Sequence, residues 1–294
     1  MTQASLQIIN NATLQLWEKT IGTNMLRPCT SSVLISDGSS YYLITCSHTF
    51  STNDNEEVDF GFMLGNTFYY LDGQRVSAPD TIEQGNCDMS VVKLEEDTSS
   101  ILQKNGYSFI TQEHLAINHI IEDHQQLYVC GYPANRTKRV YGDDGRPFQL
   151  FQSSEEGIET RCYPIVYKSI VVYLMLPVTL NDNYYNQLKI EKHLQYILDF
   201  HKDKLSDTKG RRISLPNPRG MSGCGLWGIN QSSGEYYLIG IMTDFGENLP
   251  LMVATRIDYA TELMRIVLNA SFPQSEIVQV KWYRDDSIPY EFTK

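Results

Sequence analysis

The chain has little positive charge, no long apolar run, no internal repeat and no low-complexity segment. Its 24 Lys and Arg are outnumbered by 35 Asp and Glu, giving a net charge of −11. Binding to nucleic acid in general needs clustered cations to neutralise phosphates, so this balance argues against it. The densest basic stretch, KGRRISLPNPR at 209–219, carries Lys209, Arg211, Arg212 and Arg219 and reads as a solvated loop. The most apolar run, 169–178, is far shorter than the roughly 20 residues that cross a bilayer, so no helical membrane span and no membrane partner is expected. The opening residues, MTQASLQIINNATLQLW, lack a basic stretch, a continuous apolar stretch and a small-residue cleavage site. They do not read as a signal peptide, and the expected location is cytoplasmic. In such a reducing compartment Cys29, Cys46, Cys87, Cys130, Cys162 and Cys224 are expected as free thiols, not as a disulfide framework. No cofactor or metal is expected. His114, His119 and His124 recur at every fifth residue, which puts them on one face of neither a helix nor a strand.

What is present is a succession of short strands. A length of 294 residues suits one large β domain or two smaller ones. Residues 5–17 place Leu6, Ile9, Leu14 and Trp17 at modestly helical spacing and predict a short amino-terminal helix. From Cys29 the texture changes to alternating or apolar segments, SSVLISDGSS, YYLITC, VDFGFML, NTFYYLDG and DMSVVKL, with Asp37-Gly38 as a hairpin turn. A looser segment over 95–126 leads to a second set of strands at 127–133, 157–163 and 167–176. Tyr184, Leu188, Leu194, Ile197, Leu198, His201 and Leu205 then recur at three- and four-residue steps, which predicts an amphipathic helix inserted over about 180–212. Residues 276–282 read as a strand in the tail.

The chemistry centres on NPRGMSGCGLWGI at 217–229, where Ser222 stands between Gly220 and Gly223. A serine nucleophile needs a tight turn that glycines permit. The same turn can aim the amides of Gly220 and Ser222 at one oxyanion. A hydroxyl also needs a base, and the base a carboxylate that orients it. His48 closes YYLITCSH at the end of an apolar strand, and Asp88 opens the strand of GNCDMSVVKL. Asp80 is a weaker carboxylate, and Asn86 cannot stabilise an imidazolium. Cys224, two residues past Ser222, is the only competing nucleophile nearby, and its place in the turn directs its sulfur elsewhere.

These three motifs, in the order His48, Asp88, Ser222, resemble a trypsin-like (chymotrypsin-fold) serine peptidase. Thr45-Cys46-Ser47-His48 stands for the family's histidine motif. Asp88-Met89-Ser90-Val91-Val92 stands for its aspartate strand, and Gly220-Met221-Ser222-Gly223-Cys224-Gly225 for its nucleophile loop. The apolar stretch 237–243 is similar to the strand that walls the family's substrate cleft, and 258–268 to its closing helix. The resemblance covers roughly 24–267. It implies an all-β dominated fold of two antiparallel six-stranded β-barrels of the chymotrypsin type, with an inserted helix, an amino-terminal helix, and a carboxy-terminal helix plus tail. The implied domains are a helical extension at 1–23, a first barrel at 24–110 with His48 and Asp88, a second barrel at 111–268 with Ser222 and the insertion, and a tail at 269–294.

By the same resemblance the chain is a serine endopeptidase acting on a protein or peptide. Ser222 is its nucleophile, His48 its general base and acid, Asp88 the orienting carboxylate, and the Gly220 and Ser222 amides the oxyanion hole. Pro216, Thr243, Asp244 and Phe245 are the expected cleft residues. Two positions depart from the pattern. Met221 replaces the acidic residue that, in secreted members, pairs with a freshly cut amino terminus, so the chain resembles members without zymogen activation. Pro216 stands where trypsin itself carries its specificity aspartate, so trypsin-type specificity does not follow. Other readings are a catalytically silent module that binds a peptide or partner protein, and an esterase. A regulatory protein partner fits an active protease with no inhibitory segment, and the inserted helix is placed to shape the cleft.

Overall fold

The computed structural model describes residues 3–21, 26–51, 57–65, 67–78, 87–121, 127–133, 138–139, 150–153, 159–162, 165–167, 171–178, 185–186, 190–199, 220–230, 233–245, 251–278 and 290–291. After a short helix, α1 (Gln3–Asn11), the chain forms β1 (Thr13–Thr20), β2 (Leu26–Ser36), β3 (Tyr41–Cys46), β4 (Val58–Leu64), β5 (Thr67–Tyr70), β6 (Gly73–Ser77) and β7 (Met89–Leu94). These seven strands pair antiparallel in the order β6-β7-β3-β2-β1-β4-β5. A helix, α2 (Glu96–Lys104), leads to β8 (Leu127–Gly131). Next come β9 (Lys138–Arg139), β10 (Leu150–Ser153), β11 (Glu159–Cys162) and β12 (Ile165–Tyr167), of which β10 pairs with β11 and β9 with β12. The second unit adds β13 (Val171–Pro177), β14 (Gln195–Asp199), β15 (Gly225–Ile229), β16 (Tyr236–Phe245) and β17 (Leu251–Arg256) to β8. These form a closed ring in the order β13-β14-β17-β16-β15-β8. Helix α3 (Ile257–Val267) follows, and β18 (Tyr290–Glu291) returns to pair with β6 of the first sheet.

Both units use one strand order. Counting the β4–β5 hairpin as the fourth strand, each runs five, six, three, two, one, four. In the second unit strands four and five pair and close the barrel. In the first they do not. Leu71 N–H still bonds Phe60 O at 2.9 Å on the β4 edge, and by Gly73 the chain is paired with Leu94 of β7. Only Leu71 and Asp72 lie between the two edges, a reach of roughly 11 Å at about 3.6 Å per residue. The sheet therefore curls edge to edge, but no residues remain to form a closing ladder. Of the two six-stranded barrels expected, one is a closed barrel and the other a curled open sheet.

Alternation along the strands accounts for the packing. Leu34, Leu43 and Val92 face the inside of the curled sheet with Leu14, Leu16, Phe60 and Phe62. Their neighbours Val33, Ile44 and Val91 face the other way, against Ile257, Ala260 and Leu263 of α3 and Trp227 of the barrel. Each such side chain contributes roughly 1.5–3 kcal/mol on full burial. The sheet is thus apolar on both faces, and its outer face glues the first unit to the second. Leu127, Val129, Leu198, Leu226 and Met252 fill the barrel. No helix among the described residues is long and apolar enough to cross a membrane.

Several expectations change. The helix read over 5–17 is α1 only to Asn11. Thr13 Oγ1 donates to Ile9 O at 2.7 Å to finish its last turn, and 13–20 is then β1, the strand between β2 and β4. β1 is therefore part of the first sheet. The helix read over about 180–212 is overturned at Gln195–Asp199, which is β14; residues 185–186 are helical, and 180–184 and 187–189 lie outside the described residues. Ile197 packs with Ile190, Leu251 and Val253 on one side while Leu198 enters the barrel on the other, and a strand buried on both faces mimics helical spacing. Residues 200–212 lie outside the described residues. The segment 95–126 contains α2, whose Glu96 and Asp97 at the start and Lys104 at the end suit the helix dipole. Residues 276–278 are not a strand, and 279–282 lie outside the described residues.

Candidate active site

His48 and Asp88 meet because β3 and β7 are registered neighbours. Cys46 pairs with Met89, so the residues just beyond, Ser47 and Asp88, stand opposite one another. Ser47 N–H donates to Asp88 O at 3.1 Å. After Cys46 the chain turns through a single 3-10 turn, Ser47–Phe50, which lifts the His48 ring out of the sheet. The Asp88 carboxylate accepts twice from His48, at Oδ1 from the backbone N–H (2.9 Å) and at Oδ2 through a short contact with ring Nδ1. Asp88 holds the left-handed conformation, φ +39, a strained setting of the kind that clusters at functional sites. Its side chain is 19% exposed and that of His48 53%, so the carboxylate is shielded while the ring meets solvent. The hydrogen bond to Asp88 raises the imidazole pKa above its ordinary 6.5. Partial burial opposes the rise, and the charges of Asp88 and Asp244 add to it.

Ser222 lies in the turn ahead of β15, between Gly220 (φ +86) and Gly223 (φ +79). The loop is clamped to the first unit. Ser222 O accepts from Ser31 N–H at 3.0 Å and from the Thr30 hydroxyl, and Ser31 Oγ donates to Gly220 O at 2.9 Å. Ser31 Oγ also accepts Tyr132 N–H at 2.8 Å, while Thr45 Oγ1 donates to Ser31 O at 2.9 Å. One short run of β2 thus ties the serine loop, the strand β3 that leads to His48, and the barrel together. On the far side, Gly223 N–H (2.7 Å) and Cys46 Sγ (3.1 Å) share one acceptor, Met242 O. The residue after Ser222 and the residue two before His48 therefore converge on a single carbonyl.

Among the described residues, the N–H groups of Gly220 and Ser222 have no acceptor, which leaves both free for an anionic oxygen. No hydrogen bond among the described residues joins Ser222 Oγ to the His48 ring. The structure brings His48 and Asp88 into direct contact, and ties the Ser222 loop to the same region through Gly223 and Cys46, which share Met242 O.

Gly223 is the most tightly specified residue of the loop. A Cβ there would fall 2.2 Å from Ser31 O and 2.3 Å from Thr45 Oγ1, at a φ that disfavours side chains. Gly223→Ala is expected to lower stability by roughly 3 kcal/mol or more. Denaturant unfolding with a loss below about 1 kcal/mol would contradict this.

Of the expected cleft residues, Asp244 is exposed at the end of β16 and its charge reaches His48. A bulge between Met242 and Asp244 shifts the register there. Phe245 is half-buried beside it, with its N–H on Asp244 Oδ1 at 2.6 Å. Thr243 is corrected. The whole residue is only 2% exposed, and its hydroxyl meets that of Thr255 at 3.3 Å. Pro216 and Asp80 lie outside the described residues. The sequence reading missed Thr30, Ser31 and Thr45 as residues that hold the site. The signal was available, because a run of three hydroxyl residues inside an otherwise apolar strand needs partners if it is buried, and Thr30, Ser31 and Ser32 are buried.

Met221 fills the barrel core with Leu226 and Met252. Cys29, Cys46, Cys87, Cys130 and Cys224 are free thiols. Burial raises the Cys224 thiol well above its ordinary pKa, and those of Cys87 and Cys130 to about 12, which disfavours their thiolates. Iodoacetamide should leave these three unmodified in the native protein and alkylate them in denaturant. Native alkylation at Cys224, seen by peptide mass mapping, would sink this. His114 stacks on Tyr236 at 4.6 Å and His119 meets Tyr237 edge-on at 5.4 Å, so each is a ring-packing residue. His124 lies outside the described residues.

Compared with models of known protein families and with curated proteins, the chain matches none.

Proposed function

We propose that this protein is a serine endopeptidase of the trypsin-like kind, with Ser222, His48 and Asp88 as its triad. The observation that carries the reading is the His48–Asp88 pair set beside a glycine turn whose Gly223 shares the Met242 carbonyl with Cys46. The repeated strand order supports it further, since His48 follows the third strand and Asp88 precedes the sixth of the first unit, while Ser222 precedes the fourth of the second.

In this mechanism Ser222 Oγ attacks the peptide carbonyl as His48 Nε2 takes its proton. Nδ1–H donates to Asp88, whose charge stabilises the imidazolium. The carbonyl oxygen, now anionic, is held by the amides of Gly220 and Ser222, the only stabilisers needed at the moment charge develops. His48 then gives its proton to the leaving amine. Water repeats the sequence on the acyl-enzyme. The loop needs no pairing with an α-amino group, because the residue before the nucleophile, Met221, is apolar and buried.

The lack of a Ser222–His48 hydrogen bond favours one competing reading, a silent module that binds a peptide without cutting it. Incubation with a pool of unfolded proteins separates the two. Cleavage products from the wild type and none from Ser222→Ala support the peptidase, and an unchanged pool with the wild type overturns it.

The pH profile follows from the same pair. Activity needs neutral His48, so the rate should rise through the pKa of the folded protein, with its midpoint above 6.5 because Asp88 stabilises the cation. Stability runs the other way. A raised histidine pKa contributes below the unfolded value, and that contribution is lost as pH rises through the folded one. A flat kcat/KM between pH 5 and pH 8 would count against the assignment of His48.

A further inference from the structure

We propose that Cys46, His48 and Asp88 form a binding site for a thiolate-accepting divalent metal ion, zinc above all. Their donor atoms, one sulfur, one ring nitrogen and one carboxylate oxygen, all lie within 4.8 Å of one another. Sulfur, nitrogen and oxygen ligands in a set of three match zinc with one open position. A purely oxygen-liking ion such as Mg²⁺ or Ca²⁺ has no use for the thiol. Zinc bonds of roughly 2.0–2.3 Å put neighbouring ligands of a tetrahedron about 3.3–3.6 Å apart. The short His48–Asp88 contact must therefore open by about 1 Å, and the ring nitrogen and carboxylate must close on the sulfur by up to about 1.5 Å.

The parts are suited to that adjustment. His48 is on a short turn with its ring half in solvent, so it can pivot. Cys46 is buried at the end of β3, paired with Met89 and with its thiol on Met242 O at 3.1 Å, so the movement falls mainly on His48 and Asp88. No other group of three such ligands forms among the described residues. The sequence reading looked for metal ligands at His114, His119 and His124, where spacing draws the eye, and not within one catalytic motif.

The proton balance is definite. Zinc replaces the thiol proton of Cys46, which leaves to solvent. The Nδ1 proton of His48 moves to Nε2, so that the Nδ1 lone pair binds the metal, and Asp88 binds as the anion it already is. With His48 neutral at the start, one proton is released per ion. If the peptidase reading holds, on which this consequence rests, His48 is then locked with a proton on Nε2 and cannot accept one from Ser222. The metal is a reversible off-switch seated behind the base, in a chain whose apolar Met221 offers no zymogen-type salt bridge.

The test titrates the full-length protein with Zn²⁺ alone, by calorimetry in buffers of different ionisation enthalpy, and with Cd²⁺ while following thiolate-to-metal absorption. The expected result is one ion bound, one proton released, a thiolate band, and at least tenfold weaker binding in Cys46→Ser and in His48→Gln. His48→Gln alters a half-exposed ring, so it remains informative if Cys46→Ser does not fold. Binding that releases no proton, or affinity unchanged in His48→Gln, overturns the site. Fluorophosphonate labelling of the metal-free protein, read in parallel, separates the two ideas. Labelling with no zinc binding removes the metal site and leaves the peptidase. Zinc binding with the thiolate band but no labelling leaves the metal site and removes the peptidase.

Discussion

Ser222→Ala is expected to lower peptide cleavage by roughly ten-thousandfold to a millionfold, about 5.5–8 kcal/mol of transition-state stabilisation. The loss is chemical, because the loop is held by backbone atoms. Ser222 O is the acceptor for Ser31 N–H and Thr30 Oγ1, and Gly223 N–H bonds Met242 O, none of which involves the serine hydroxyl. The hydroxyl itself makes no hydrogen bond among the described residues, so removing it should change stability by no more than about 0.5 kcal/mol. A small residual rate should remain from the oxyanion amides and substrate binding. Steady-state kinetics with matched thermal melts check the claim, and a loss under a hundredfold with an intact fold would contradict it.

Asp88→Asn is expected to cost roughly ten-thousandfold in kcat. An asparagine oxygen can still accept the His48 backbone N–H, now bonded to Asp88 Oδ1 at 2.9 Å. Its amide group, turned toward the ring, donates instead of accepting. His48 is then driven to the tautomer with the proton on Nε2, where it is no base for Ser222. The cation also loses the hydrogen bond and charge that raise its pKa, so the midpoint of any remaining activity should fall. Asparagine suits the left-handed backbone at φ +39 better than most residues, so the fold should stand. The kcat/KM profile of the variant is the check, and less than a tenfold loss with an unmoved midpoint would show that Asp88 does not orient the base.

The strands and the three motifs were legible because they depend on local pattern. Tyr41–Cys46 reads as an apolar strand whatever surrounds it, and a histidine at its end, an aspartate before another strand and a serine among glycines are each visible in a few residues. What failed depended on both faces of an element being buried. Leu194, Ile197 and Leu198 look helical because β14 packs against a separate apolar cluster on one side and the barrel core on the other. Leu14 and Trp17 seemed to continue α1 for a similar reason, as β1 buries Thr13 and Gln15 along with its leucines. The open edge of the first sheet turns on a two-residue link at Leu71 and Asp72, which no periodicity reports. The clamp through Thr30, Ser31 and Thr45 joins segments that stand far apart in the chain, up to 192 residues for Thr30 and Ser222. Their shared location is a property of the fold.

The central claim is that Ser222 is a nucleophile activated by His48. Intact-mass analysis after exposure to a fluorophosphonate tests it most directly, with peptide mapping of any adduct and with Ser222→Ala treated in parallel. The account predicts one adduct per chain, carried on Ser222, absent from Ser222→Ala and formed far more slowly in Asp88→Asn. An unmodified wild-type chain, or an adduct that persists in Ser222→Ala, would contradict it.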